Sequence, residues 1–164
     1  MRRRAMAAIG TATGLVIVAF LTRAGPSHGA IVANSSDSVA VAVFEGRTPC
    51  GQIAVEFTGF PSSGCEKIKW ELTLFRDRAT GRPSSFLYEG TRTTKRGTWT
   101  IHRGLAGDPN ATVYRLTPIP PGQALSLLSV NEKVLLLLDG EQRVLVGDAS
   151  WSYVLNRTDR KLPK

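Results

Sequence analysis

Residues 67–74, with the sequence KIKWELTL, decide the fold class because their side chains alternate between polar and apolar. The apolar side chains fall on one face of an extended chain, and the charged and hydroxyl side chains fall on the other. A period of two predicts an antiparallel β-strand with one buried face. The predicted inward residues of this strand are Ile68, Trp70, Leu72 and Leu74.

The same alternation recurs along the chain from Val39 onward. In Thr98–His102 it places Trp99 and Ile101 inward and His102 outward. Near the end of the chain it places Trp151, Tyr153 and Leu155 inward. The other strand candidates are Ser38–Glu45, Gln52–Thr58, Ser85–Thr91, Thr112–Thr117, Ala124–Val130, Lys133–Asp139 and Arg143–Val146.

Turn signals separate these segments, and no segment after Gly29 carries a capped, amphipathic helical pattern. The best hairpin signal is Asp139-Gly140, between Val134–Leu138 and Arg143–Val146. Many short strands with regular turns indicate a closed barrel or a sandwich. We therefore expect one all-β domain over residues 30–164. A small antiparallel β-barrel of about eight strands would have an interior that is filled or holds one small ligand.

The segment from Met1 to Gly29 has the pattern of a signal peptide. Three arginines, Arg2–Arg4, precede an apolar run from Ala5 to Leu21, and small residues suited to cleavage follow at Ser27–Ala30. The run is short for a membrane span, and no cysteine follows it that could be acylated. We therefore expect cleavage near Ala30, no stable membrane anchor afterwards, and a periplasmic or secreted protein.

The net charge of +8 gives little support for a nucleic-acid partner. Four of the 21 lysines and arginines lie in this N-terminal segment, which contains no acidic residue. The remaining chain has 17 basic and 13 acidic side chains, a balance that favours solubility. We expect no nucleic-acid partner.

The two cysteines, Cys50 and Cys65, bracket the segment Gly51–Gly64. In an oxidising compartment the default state of such a pair is a disulfide. The alternative is a reduced metal-binding pair, which would need further ligands that the chain scarcely offers. The segment Gly51–Gly64 resembles a hairpin-like insertion that could return Cys65 to Cys50. We predict a disulfide, with metal uptake only after reduction.

Catalytic motifs are scarce, and we predict that the protein is not an enzyme. The chain contains no G-x-S-x-G, H-E-x-x-H or phosphate-binding glycine loop. His102 is predicted on an outward face, where a surface histidine is the simplest interpretation. The aromatic side chains have two possible roles: they could line a ligand cavity, or they could form a packed core. The cavity candidates are Trp70, Trp99, Trp151 and Tyr153.

Several short segments, in this order, resemble the NlpE-like domain, which is associated with copper resistance in bacterial envelopes. The resemblance extends from about Phe44 to Arg157. Its segments are Gly46–Cys50, Cys65, Ile68–Leu74, Tyr88–Gly90, Gly97–Ile101, Tyr114–Leu116, Leu135–Gly140, Leu145–Gly147 and Trp151–Leu155.

This resemblance implies a lipocalin-like β-barrel that is not an enzyme and that takes part in copper handling and in signalling envelope stress. The Cys-x-x-Cys of the family is opened here to Cys50 and Cys65, and the acylated cysteine of its best-known members is missing. Two functions follow as expectations. One is an envelope interaction or stress-sensing protein with an envelope protein partner and, if Cys50 and Cys65 are reduced, a link to copper. The other is a carrier of a small apolar ligand.

Overall fold

The computed structural model describes residues 37–158 and residue 162, so the expected signal peptide lies outside the described residues. The described chain forms eight strands and one short helix. In chain order these are β1 (Ser38–Thr48), α1 (Gln52–Thr58), β2 (Ile68–Asp77), β3 (Pro83–Glu89), β4 (Thr94–Leu105), β5 (Asp108–Ile119), β6 (Leu125–Asn131), β7 (Val134–Leu137) and β8 (Val154–Arg157).

The strands form a closed antiparallel barrel in which each strand pairs with its neighbours in sequence. The short strand β8 closes it by pairing with both β7 and β1. Two register pairs join β1 to β8, Phe44 with Arg157 and Glu45 with Asn156. Closure removes the two open edges that a sheet of eight strands would otherwise expose. The predicted all-β barrel of about eight strands is confirmed.

The inward faces of the strands form one hydrophobic core. All four predicted inward residues of β2 are buried, with at most 1% of each exposed. Cross-strand pairing continues the same face onto the neighbouring strands, where Leu72 lies opposite both Phe44 and Tyr88. His102 is exposed, as the alternation predicts.

The segment Gln52–Thr58 is helix α1, and its prediction as a strand is wrong. Its apolar residues suit either period, but the buried ones, Ala54, Phe57 and Thr58, have helical spacing. Gly59 ends the helix in the left-handed conformation with φ 69°, and its N–H donates to the Val55 carbonyl. The expectation that no segment would be helical is therefore wrong, and Gly51–Gly64 is a helical insertion rather than a hairpin.

The segment Arg143–Val146 is not a strand either, because it makes only an isolated bridge between Val144 and Leu138. The predicted Asp139-Gly140 hairpin is reduced to a tight loop. The Asp139 carboxylate accepts hydrogen bonds from the backbone N–H groups of Glu141 and Arg143, at 2.8 and 2.9 Å. These local bonds hold the chain in a turn. A β-strand at this position would need extended backbone, so the turn prevents strand pairing.

Two predicted inward residues are not buried. Ile101 points to the inner side of β4 but is 39% exposed, because β4 and β5 extend beyond the rest of the barrel at this point. Trp151 is half-buried and precedes β8, where the alternation of a strand does not apply. Its ring lies 5.0 Å from the Lys67 Nζ. No helix in the described part of the chain is long and apolar enough to cross a membrane.

Candidate ligand site at the open end of the barrel

The two ends of the barrel are built from connections of different length. The long connections, residues 49–67 between β1 and β2 and residues 138–153 between β7 and β8, lie at one end, here called the closed end. At the other end, here called the open end, the strands are joined by short turns at residues 78–82, 106–107 and 132–133. Within residues 37–158, these short turns bring too few side chains to cover the barrel mouth.

Helix α1 fills the closed end with an aromatic cluster. The Phe57 ring stacks on Trp70, with centroids 5.8 Å apart, and meets the edge of Tyr88 at 6.1 Å. Trp70 is fully buried, and its indole N–H donates to the Thr48 hydroxyl at 2.9 Å. This aromatic packing and the hydrogen bond between Trp70 and Thr48 leave this end as a solid core.

The disulfide between Cys50 and Cys65 joins the two flanks of α1, with a Cα–Cα distance of 6.1 Å. The predicted pairing is confirmed. Because each sulfur is bonded to the other, neither supplies a thiolate to a copper ion in this state. Within residues 37–158, no three His, Cys, Asp or Glu side chains are grouped closely enough to hold a metal ion. Cys50 and Cys65 therefore do not fit a copper site while the disulfide between them is intact.

A cleft of about 390 Å³ enters the barrel at the open end. Most of its wall is the inner surface of β1, β2, β4 and β5. Phe44 and Leu74, both nearly fully buried, separate it from the filled core. The lining residues are Val41, Ala42, Phe44, Leu74, Arg76, Trp99, Tyr114, Glu132 and Arg157.

Two aromatic side chains form one wall of this cleft. The rings of Trp99 and Tyr114 meet edge to face, with centroids 5.1 Å apart. The Trp99 indole N–H donates to the Phe75 carbonyl at 2.6 Å, across a shift in the β2–β3 register between Leu74 and Arg76. This bond fixes the indole plane, so the wall is rigid before any ligand binds.

Charged side chains lie at the rim of the cleft. The Arg76 guanidinium carbon lies 5.7 Å from the centroid of the Trp99 ring, and Arg76 donates to the Gly81 carbonyl at 3.2 Å. Arg157, at the end of β8, donates to the Val41 carbonyl at 3.1 Å. The remaining charged rim residue is Glu132, in the exposed β6–β7 turn. The rim therefore carries two cations and one anion.

The extension of β4 and β5 stands beside the mouth of the cleft. The last pair between β3 and β4 is Ser85 with Thr98, so among the described strands the rest of β4 pairs with β5 alone. Ile101, opposite Tyr114, continues the inner face of the cleft into solvent. This geometry explains both the exposure of Ile101 and the free edge on β4.

The four aromatic cavity candidates are separated by the structure. Trp70 and Trp99 both belong to the buried core, and Trp99, which is 2% exposed, also borders the open-end cleft. Tyr153 borders a groove of about 370 Å³ beside α1, whose lining includes Ile53 of the helix and Leu145. Burial raises the pKa of the Tyr153 phenol, and a hydrogen bond with the backbone of Gly51 partly offsets this. Trp151 lies outside the barrel, near Lys67.

Two important cleft residues, Arg76 and Tyr114, were not predicted as site residues. For Arg76 a signal exists in the sequence, because the period of two through Leu72 and Leu74 continues to position 76. A charged residue at an inward position indicates the end of a core or a site. Tyr114 carries no comparable signal, since an aromatic residue in a strand is ordinary.

Comparison with protein-family models, curated proteins and solved structures gives no match for this chain.

Proposed function

We propose that this protein is an exported, non-enzymatic carrier that binds one small, largely apolar molecule in the open-end cleft. The observation that supports this most directly is the contrast within one barrel interior. Between the inner faces of the strands, one end is filled by α1 and its aromatic partners, whereas the other keeps a cleft of about 390 Å³. Sites for small molecules are concave and about 300–1,000 Å³ in volume, and this cleft falls within that range.

Export is part of the proposal and is supported by the disulfide. Disulfides form and persist in oxidising compartments, such as the bacterial periplasm and the extracellular space. The bond between Cys50 and Cys65 is compatible with either location.

Binding of N-phenyl-1-naphthylamine, a neutral apolar dye whose emission rises in dry surroundings, tests the carrier function. We expect saturable binding with one dye per protein and quenching of tryptophan emission by energy transfer. The variant Ala42→Phe, which places a ring in the cleft, should abolish binding. Ala106→Phe, at the exposed β4–β5 turn, is the matched control and should bind normally. Dye binding that survives Ala42→Phe in a folded protein would contradict the carrier function.

An envelope interaction protein is the second candidate, and the free edge of β4 supports it. Unpaired backbone groups on a sheet edge can pair with an extended segment of another protein. The edge carries Thr100, His102 and Arg103, which are polar or basic, and Ile101 is exposed beside them. The partner in this proposal is an extended segment of an envelope protein.

A photo-crosslinking residue at Thr100 tests this second function in intact cells, with the same residue at Thr73, in the middle of the sheet, as the control. We expect one discrete adduct from position 100 only. Adding His102→Pro, which removes a backbone donor, should eliminate the adduct while the barrel stays folded. Equal labelling from both positions would contradict edge pairing.

A further inference from the structure

Among the charged groups at the rim of the open-end cleft, Arg76 lies against the aromatic wall, with its guanidinium carbon 5.7 Å from the centroid of the Trp99 ring. Its guanidinium is held from two sides, by the Trp99 ring and by the Gly81 carbonyl. One of its N–H groups serves that carbonyl, and a guanidinium has five N–H donors. Arg76 therefore has donors left for a ligand and an orientation that is already fixed.

Among the described residues, Arg76 makes no ion pair with a carboxylate. Its neighbour on β2, Asp77, instead accepts hydrogen bonds from the backbone N–H and the hydroxyl of Thr80, both at 2.7 Å. Those bonds commit the Asp77 carboxylate to the β2–β3 turn and lower its pKa. The half-buried cation is therefore left beside the cleft without a carboxylate from its own hairpin.

Arg157 adds a second cation to the same cleft. Its position is fixed by the closure of the barrel, because it is the last residue of β8 and lies opposite Phe44 of β1. Its bond to the Val41 carbonyl holds it against the β1 side of the mouth, while Arg76 belongs to β2. Two arginines on strands that both pair with β1 thus border one cleft, whose inner wall includes Trp99 and Tyr114.

We propose that the ligand is a small amphiphile with a single anionic group, bound at the rim by Arg76 with the help of Arg157. Its apolar body packs against Trp99 and Tyr114 inside the cleft. This proposal rests on the carrier function, and it adds the class of ligand. Charge-assisted bonds from an oriented guanidinium are stronger than neutral ones, and arginine matches the paired oxygens of a carboxylate, a phosphate or a sulfonate.

A matched pair of dyes separates this proposal from the carrier function. 8-Anilinonaphthalene-1-sulfonate and N-phenyl-1-naphthylamine share the aromatic body, and only the first carries an anionic group. We expect the anionic dye to bind on the order of tenfold more tightly, the effect of one charge-assisted hydrogen bond. Increasing salt should reduce this preference, because ions screen charges near the surface.

The variant Arg76→Gln should remove most of the preference for the anionic dye and leave the affinity for the neutral dye unchanged. Arg78→Gln is the matched control, since Arg78 is an exposed arginine of the same hairpin and does not line the cleft. An unchanged denaturation midpoint in both variants excludes a folding defect.

Displacement by ten-carbon compounds identifies the type of head group. Decanoate and decyl phosphate should each displace the anionic dye more strongly than decanol, and the stronger of the two shows whether a carboxylate or a phosphate is preferred.

Each other result overturns one of the two proposals. Equal binding of both dyes, or equal weakening of both by Arg76→Gln, would overturn the anionic ligand and leave the carrier function standing. Failure of both dyes to bind the wild-type protein would overturn the carrier function itself.

Discussion

The two ends of this barrel share the same strands and differ in what covers them. At the closed end, the connection between β1 and β2 is long enough to form α1, and Phe57 completes an aromatic core with Trp70 and Tyr88. At the open end, short turns leave Trp99 and Tyr114 at the wall of a cleft. In this barrel one insertion thus makes the difference between a packed core at one end and a cleft at the other.

The largest expected difference between the ends concerns the solid core. Trp70→Ala should lower the free energy of unfolding by about 3–5 kcal/mol, because it leaves a large cavity among fully packed side chains and an unpaired Thr48 hydroxyl. Trp151→Ala is the control, and as a change outside the barrel it should cost less than about 1 kcal/mol. Denaturation in urea measures both. Similar losses for the two variants would show that the closed end is not the stable part of the barrel.

The next effect concerns the disulfide that flanks α1. Replacing both Cys50 and Cys65 by serine should cost about 3 kcal/mol, the chain-entropy value for a closed loop of 15 residues. The comparison is with wild-type protein under reducing conditions, which should lose the same amount. A double variant as stable as the oxidised protein would mean that the packing of Phe57 alone holds α1.

The state of the same disulfide decides whether the two cysteines can bind copper. Isolated protein should show no reactive thiol and should take up Cu(I) through Cys50 and Cys65 only after reduction, because the thiolate is the ligand. Thiol titration with and without reductant, followed by metal analysis, measures this. Stoichiometric copper on unreduced protein with two reactive thiols would restore the copper-handling function that the resemblance implies.

A third comparison inserts the same side chain at each end. Ala54→Leu adds three carbons at a fully buried position of α1 and should cost about 1–3 kcal/mol through overpacking. Ala42→Leu adds the same atoms beside the cleft, where there is room, and should cost less than about 1 kcal/mol. Thermal unfolding of the two variants decides the comparison. Equal costs would indicate that the cleft is not open space.

The sequence predicts the barrel well because its signal is local. The alternation in residues 67–74 depends only on which side chains face the core, and every inward residue predicted there is buried. The same reasoning gives a wrong result for Gln52–Thr58, where Ile53, Val55 and Phe57 also alternate. There the deciding fact is that the helix packs over the closed end of the barrel, a tertiary contact that no local pattern contains. The flanking glycines, Gly51 and Gly59, were the available helix signal.

The candidate site is harder to predict from the sequence, because it too depends on contacts between distant parts of the chain. Of the three tryptophans predicted as cavity candidates, Trp99 borders the cleft and Trp70 and Trp151 do not, and composition alone does not separate a filled interior from an open one. The distinction arises from the difference in the connections at the two ends. Ile101 shows the same limit, since its side of β4 is correct and its exposure depends on how far the neighbouring strands extend.

The smallest expected effect concerns Tyr88, in the aromatic cluster of the closed end. Its phenol is fully buried and donates to the Lys69 carbonyl at 3.2 Å, and burial raises its pKa above the ordinary value of 10.0. The folded protein therefore favours the protonated phenol. This stabilisation is fully present below pH 10 and is lost as the pH rises through the folded pKa.

Tyr88→Phe should cost about 1 kcal/mol at neutral pH, the contribution of one hydrogen bond, and should make the loss of stability above pH 10 less steep. Tyr153→Phe is the control, because its phenol borders the groove beside α1 and its burial is less complete. Urea denaturation between pH 8 and about pH 11 measures both slopes, with lysine titration common to all variants. If Tyr88→Phe left the alkaline slope unchanged, water would reach this phenol in the folded protein. The closed end would then be less tightly packed than its aromatic contacts indicate, and the contrast with the open end would be correspondingly weaker.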